Sequence, residues 1–409
     1  MLDHGQRCSL GEICTFTNGN GFRPKDWAKD GLPIIRIQNL NGSQEFNYFD
    51  GEPRKNWIVE PGELLFAWAG VKGVSFGPTI WPGPRGVLNQ HIYRVTPKAA
   101  VDLHWLHAAL QLVTRRVEAK SHGFKSSLVH VHKSDITEQV VSVPPLPEQR
   151  RIAGILRTWD EAIDAASRLI DAKRRRLDAI TFRLVFGGAR LANFGDASAR
   201  QEARWFNVPA AWRVAKIGDL AKEVSRTNAD GAVSEVLSCS KHDGFVRSLE
   251  YFKKQIFSAD LSGYKIIARG DFGFPSNHVE EGSIGLQTIA DIGVVSPIYC
   301  VFRFDAKKVD ADYAFRVLKT SVFRHMFSVA TSASVDRRGS LRWKEFRKLP
   351  FPVPPLAEQQ AIAAAIDLAA QDLATSKAHL DALKRQKRGL MQKLLTVTGA
   401  WRAPAEPAV

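Results

Sequence analysis

The chain has 409 residues, with 57 Lys and Arg against 42 Asp and Glu, a net charge of +15 and a pI near 9.7. That length exceeds what one hydrophobic core organises, and the charge favours a polyanionic partner such as nucleic acid. Nowhere do eighteen apolar residues run together, and Met1-Leu2-Asp3-His4-Gly5-Gln6-Arg7 has no apolar signal core, so a soluble, cytoplasmic chain without a membrane partner is expected. Cys8, Cys14, Cys239 and Cys300 have no C-x-x-C spacing, which points to reduced thiols and no metal site.

Residues 1–142 read as one mixed domain. Leu10-Gly11-Glu12-Ile13 opens it, and Gly31 to Leu40 reads as a strand entered through a Gly/Pro turn. Val59 to Ala67 carries a Pro61-Gly62 turn followed by the apolar run of a buried strand, and Ile92 to Val95 is another strand. A helix is expected over Leu103 to Val117, where Leu106, Leu110 and Val113 share a face, and Ser121 to Lys133 is polar, basic and loop-like.

Val143-Pro144-Pro145-Leu146-Pro147-Glu148-Gln149 follows, and it returns 210 residues later as Val353-Pro354-Pro355-Leu356-Ala357-Glu358-Gln359. A proline pair excludes helix before it and tolerates helix after it, so each copy marks a helix start, with Glu148 and Glu358 at the positive end of the macrodipole. After the first copy, Ile152, Leu156, Trp159, Ile163, Ala166, Ile170, Leu177, Ile180 and Leu184 recur at steps of three and four, interrupted by Lys173. After the second, Ile362, Ile366, Ala369, Leu373, Leu380, Leu383, Leu390 and Leu394 do the same, interrupted by Ser376 and Lys387. Both are heptad seams, and each helix is the natural coiled-coil partner of the other. Lys173 and Lys387 are candidates for fixing antiparallel register, Trp159 for the core. Gly187-Gly188 and Gly399 close the two runs.

The first long helix is placed at 143–186, a Gly/Ala/Asn linker at 187–205, a second mixed domain at 206–352, the second long helix at 353–397 and a disordered tail at 398–409. In the second domain Ile217-Gly218-Asp219-Leu220 answers Leu10-Gly11-Glu12-Ile13, Ala268 to Phe274 answers Glu60 to Phe66, and Asp312 to Phe327 is the matching helix. Elsewhere the two domains differ, so one scaffold carries two sets of loops.

Catalytic signatures are missing. The sequence has no G-x-x-x-x-G-K-[ST] loop, no H-E-x-x-H and no G-x-S-x-G elbow. His278-Val279-Glu280 has no downstream P-C-x-x-C, and the Val-Pro-Pro-Leu tetrapeptides lack the amide and aromatic groups of an adenine-methyltransferase motif.

Two variable domains, each opening on Leu-Gly-Glu or Ile-Gly-Asp and each followed by Pro-Pro-Leu-x-Glu-Gln and a basic heptad helix, resemble the specificity subunit of bacterial type I restriction-modification systems. Gly31 to Leu40 and Pro61 to Phe66 are also similar to segments of that family's target-recognition domains. The resemblance implies an α+β fold, with two α/β target-recognition domains in pseudo-two-fold arrangement joined by two long helices in an antiparallel coiled coil. It implies a non-catalytic subunit reading a bipartite double-stranded DNA target, one half per domain, with the coiled coil as spacer. Two methyltransferase subunits and restriction/translocase subunits would be its partners; S-adenosylmethionine and ATP would belong to them, with no cofactor held here. Glu148, Gln149, Glu358 and Gln359 are then either docking or helix-start residues.

Base readout uses Arg or Lys for guanine and Asn or Gln for adenine, with basic and hydroxyl groups for phosphate. Candidates in the first domain are Asn18, Asn20, Arg23, Lys25, Gln38, Asn39, Asn89, Gln90, His91, Lys125, Ser126 and His130. In the second they are Lys241, His242, Ser276, Asn277, His278, Arg337 and Arg338. Lys173-Arg174-Arg175-Arg176 is either a phosphate-binding run or a solvated face paired with Asp171 and Asp178. The rival to a DNA reader is a coiled-coil scaffold joining two protein-binding domains, with only non-specific DNA affinity.

Overall fold

A computed structural model describes the chain except for residues 1–5, 72, 99, 121–127, 196–198, 242, 243, 253, 278, 333–339 and 397–409. It mixes helices and strands in two compact units. The first unit is residues 1–168 with 378–409, and the second is residues 169–377, so the division cuts each long helix near its middle.

In the first unit Gln6–Ser9 pairs antiparallel with Val140–Val143, closing the domain just before the proline pair. A four-stranded antiparallel sheet lies at its centre, in the order Cys14–Asn18, Ile92–Pro97, Leu64–Ala67, Gly77–Ile80. The helix Leu103–Lys120 buries Leu106, Leu110 and Val113 with Phe16 and Phe66 from the sheet. A second sheet, Asn47–Phe49, Leu32–Ile35, Gly86–Leu88 and Ile58–Val59, stands beside it, with its middle pair parallel. The strand expected over Gly31 to Leu40 is therefore shorter. It ends at Ile35, and Ile37–Leu40 turns as one helical turn because the Asn39 side chain accepts the Arg36 amide hydrogen at 2.9 Å, a cap that competes with the ladder.

The second unit repeats this plan at offsets of 207–210 residues. Arg213–Lys216 pairs with Pro350–Val353, and the central sheet runs Ala221–Glu223, Tyr299–Phe304, Phe272–Pro275, Gly285–Leu286. The peripheral strands differ: Leu237–Ser240 with Gly244–Arg247, and Lys265–Ala268 with Ile292–Val295, form separate two-stranded ladders. The single helix expected over Asp312 to Phe327 is two, Ala311–Leu318 and Ser321–Ser332. Thr320 breaks it: its hydroxyl donates to the Val317 carbonyl at 2.8 Å and accepts the Phe323 amide at 3.3 Å, capping the new helix. At the matching place the first unit has Leu112, which buries and lets the helix continue. The segment expected as a linker is also partly built, since Arg200–Ala203 forms a hairpin with Phe206–Pro209.

The long helices span Leu146–Val185 and Leu356–Thr396. Within the first unit the start of one packs antiparallel on the end of the other, where Ile152, Ala153 and Leu156 share a core with Met391, Leu394 and Leu395. Within the second unit Leu184, Val185 and Phe186 share a core with Ile362, Ala363 and Ile366. Each such buried Ile, Leu, Val, Phe or Met side chain contributes about 1.5–3 kcal/mol, and each alanine less. Away from the domains only one stripe is covered, so Ile170 and Leu373 are buried while Ile163, Leu177, Ile180, Leu380, Leu383 and Leu390 are half-buried. Trp159, expected in the core, is also only half-buried. Both seam lysines bond across to the facing helix: Lys173 to Asp372 at 2.7 Å and to the Ser376 hydroxyl at 2.9 Å, and Lys387 to Asp160. Lys173 thus pairs with neither Asp171 nor Asp178 of its own helix. The first long helix ends as expected, with Gly187 at φ +61° and the Ala189 amide donating to the Arg183 carbonyl. Gly399 and the tail lie outside the described residues.

Glutamine after each Pro-Pro start ties helix to domain. Gln149 accepts the Asp102 amide hydrogen at 2.7 Å and donates to the Ala100 and Pro144 carbonyls; Gln359 accepts from Asp310 at 2.8 Å and donates to Lys308 and Pro354. Both are buried, with their amide groups satisfied inside the unit.

On the inner side of Leu103–Lys120, burial pushes the His107 imidazole down to about 4; Asp160 and the Pro78 carbonyl oppose the shift, and Lys387 and His104 add to it. The unfolded chain, with an ordinary value of 6.5, binds more protons than the fold at any pH between the two. Stability therefore falls as pH drops through that window. Between pH 7.5 and 5 the wild type is expected to lose about 2 kcal/mol more than His107→Leu, read from denaturant melts at both values.

Candidate nucleic-acid interface

At one end of the first unit's central sheet, four segments meet. Asn18 ends its strand opposite Tyr93, and Asn20 bridges to Asn89. Gly19 permits this, because a β-carbon there would sit 2.3 Å from the Leu88 and Asn89 carbonyl oxygens. Trp68, just past Leu64–Ala67, donates its indole hydrogen to the Gln90 carbonyl at 3.1 Å; its ring lies 5.2 Å from His91 and stacks on Tyr93 at 5.9 Å. Gln90 Nε2 is 3.2 Å from His91 Nε2. Lys133 donates to the Phe16 carbonyl at 2.8 Å with its ammonium over the Tyr93 ring. Two main-chain bonds knit the corner: Trp68 N–H to the His91 carbonyl at 3.2 Å, and Val131 N–H to the Trp68 carbonyl at 3.3 Å.

The second unit has the same two bonds at shifted numbers, Ser276 N–H to Ile298 at 3.3 Å and Leu341 N–H to Ser276 at 2.7 Å. Around them opens a cleft of about 630 Å³ whose walls include Lys265, Ser276, Asn277, Tyr299, Arg342 and Trp343. Lys265 donates to the Tyr299 carbonyl at 2.5 Å. The Tyr299 hydroxyl accepts the Cys239 amide hydrogen, and burial pushes its pKa up to about 12, so it stays a neutral wall. Amides, ammonium groups and aromatic rings at both corners, with the Arg342 guanidinium at the second, are the groups that read base edges and stack on bases.

Arg23, Lys25, Gln38, Asn39 and Lys241 are not among the corner contacts. Arg23 and Lys25 are exposed, Lys25 on the short helix Pro24–Asp26 and Arg23 just before it. Gln38 is exposed, but Asn39 is buried; its amide accepts from Arg36 and donates to the Ser43 and Glu45 carbonyls, which leaves nothing for a base. Lys241 is exposed in a hairpin turn, where its carbonyl accepts from Lys319. His130 lies in the strand Leu128–His130, opposite Ala69. Lys125, Ser126, His242, His278, Arg337 and Arg338 lie outside the described residues. Among the described residues no group of three His, Cys, Asp or Glu could hold a metal ion, and no helix is long and apolar enough to cross a membrane.

A family model described as the type I restriction modification DNA specificity domain matches residues 6–172, the first domain and most of its helix. Over 353 residues, 84% of this chain and 80% of the relative, the chain is 21% identical to the type I restriction enzyme MjaVIII specificity subunit of Methanocaldococcus jannaschii. Residues 6–172 are thus similar to a type I restriction-modification DNA specificity domain. The chain is also 24% identical over 181 residues to the EcoBI specificity subunit of Escherichia coli, a match covering 44% of the chain but only 35% of that relative's length. Its fold is that of the type I restriction-modification S subunit from M. genitalium, with a TM-score of 0.51, 15% identity and 96% of each chain covered.

Sequence reasoning alone missed Trp68, Tyr93 and Lys133 at the first corner and Lys265, Tyr299, Arg342 and Trp343 at the second. Three of them had a usable signal. Trp68 and Ser276 are matched at 208 residues, and Lys133 and Arg342 flank positions matched at 210, so the repeat itself superposes the corners. Lys265 had none, since the first unit has Trp57 at the place matched by the 208-residue offset.

Proposed function

We propose that this chain is the non-catalytic DNA-recognition subunit of a methyltransferase or restriction complex, reading a bipartite duplex target with one corner per unit. The observation that carries this reading is the pair of corners, with the same main-chain bonds and different side chains. One scaffold thereby presents two specificities. Exposed apolar residues on the long helices, Leu169, Phe182 and Leu368, suit docking of the two methyltransferase subunits, to which restriction/translocase subunits would be added. S-adenosylmethionine and ATP would be bound by those partners, in the cytoplasm.

The test is co-expression with a methyltransferase subunit and mapping of methylated adenines across the host genome. One recurring motif of two specified halves around a fixed gap is expected; no methylation and no stable complex would favour the scaffold reading. On this reading the paired helices set the gap. Seven residues added to each helix keep the heptad seam and lengthen the rod by about 10 Å. The gap is then expected to grow by at most about three base pairs at ~3.4 Å each, with both halves unchanged. An unaltered gap would refute the spacer role.

A further inference from the structure

The end of Leu103–Lys120 and the end of the second long helix enclose an open groove of about 440 Å³ in the first unit, with Arg115, Arg116 and Arg388 on its walls. Residues 111–120 and 384–396 together carry eight basic side chains, Arg115, Arg116, Lys120, Lys384, Arg385, Lys387, Arg388 and Lys393, against one carboxylate, Glu118. Lys387 is taken by Asp160, and Glu118 accepts the Gly73 amide hydrogen at 2.8 Å. Among the described residues Arg115, Arg116 and Arg388 form no ion pair within 4 Å; Arg116 donates to the Val140 carbonyl at 3.4 Å, and burial together with the Arg388 charge lowers the Arg115 pKa against the opposing charge of Glu118. Like charges facing one groove cost free energy unless an anion joins them.

In the second unit only Arg116 of the three is matched by a basic group, Arg324, while Phe323 stands for Arg115 and Asp178 for Arg388, so the groove is a feature of the first unit. The groove is also joined to the reading corner, because Gly73 lies in the hairpin that leaves Trp68 and is bonded to Glu118, one turn beyond Arg115. Its walls offer an amphipathic helix little to bury, Leu112 and Ala119 being the apolar members.

We propose that Arg115, Arg116 and Arg388 bind the phosphodiester backbone of duplex DNA flanking the half-site read by the first unit. The proposal rests on the DNA-reading function above. Guanidinium forks suit phosphate oxygens, and such contacts position without specifying sequence.

The test compares the full chain, in complex with its methyltransferase subunit, with its Arg115→Gln/Arg116→Gln/Arg388→Gln variant on target and non-target duplexes from 50 to 200 mM salt. Each lost phosphate contact lowers the slope of log affinity on log salt by about one. A fall of two to three is expected, with the same fold-loss on both duplexes, an unchanged methylated motif and recovery in the triple Lys variant. Helical circular dichroism and the melting temperature check that the variant folds. An unchanged slope in a folded variant overturns the proposal. So does loss of the methyltransferase subunit with DNA affinity retained, which would make the groove a protein contact. A wild type with no salt-dependent DNA binding would instead remove the DNA-reading function itself.

Discussion

Glu358→Ala should lower the stability of this protein by about 3–5 kcal/mol, whereas Glu148→Ala, the same change in the other copy of the motif, should cost less than about 1 kcal/mol. The difference lies in what surrounds each carboxylate. Glu358 is fully buried, accepts both Arg190 Nε and Nη2 at 2.8 Å, and accepts the Trp212 indole hydrogen at 3.1 Å. Beside it the buried Tyr313 hydroxyl donates toward the Val185 and Pro352 carbonyls, and burial plus the Glu358 charge hold its pKa well above 10. Truncating Glu358 strips a largely buried guanidinium of its bidentate carboxylate, and the desolvation cost of that cation is no longer offset. Glu148 is half-buried at its helix start and interacts mainly with the macrodipole. Denaturant melts of the two single variants decide this, and equal losses would contradict it. Arg190→Met with Glu358→Gln should recover most of the stability, since no charge is then left buried and the introduced amide oxygen can still accept the Trp212 indole hydrogen.

Changing one reading corner should relax one half of the methylated motif and leave the other half and the gap intact. Asn89→Ala/Gln90→Ala acts on the first unit, where both side chains stand at the corner beside Trp68. Asn277→Ala acts on the cleft of the second unit. A lost bidentate base contact removes about 1–3 kcal/mol of discrimination, or tenfold to a hundredfold at the base concerned. These residues are exposed or half-buried, so stability should change by no more than about 0.5 kcal/mol. Methylome sequencing of both variants is the measurement. Relaxation of the same half by both, or of neither half by either, would break the assignment of one corner to one half-site.

The architecture is written in the chain itself: two repeats, a proline-marked start for each long helix, and the seams on which these helices pair. These features are local or periodic. A residue before proline avoids helix wherever it stands, and a heptad stripe exposes its apolar face to water until another helix covers it. Candidates such as Asn89 and Asn277 were also legible, because amides in a polar loop stand out. Asn39 shows the limit of that signal, since the same amide type there is spent on a turn.

Which of these groups stand together emerges from packing alone. Trp68, Asn89 to His91 and Lys133 come from separate parts of the chain and meet through strand pairing, and no local periodicity encodes which strand lies beside which. The same holds for Glu148 and Glu358. They occupy identical places in one motif and differ in burial, because Arg190 and Trp212 fold over only the second. Burial is a property of what packs against a residue, and it is burial that turns one of these two charges into a structural requirement.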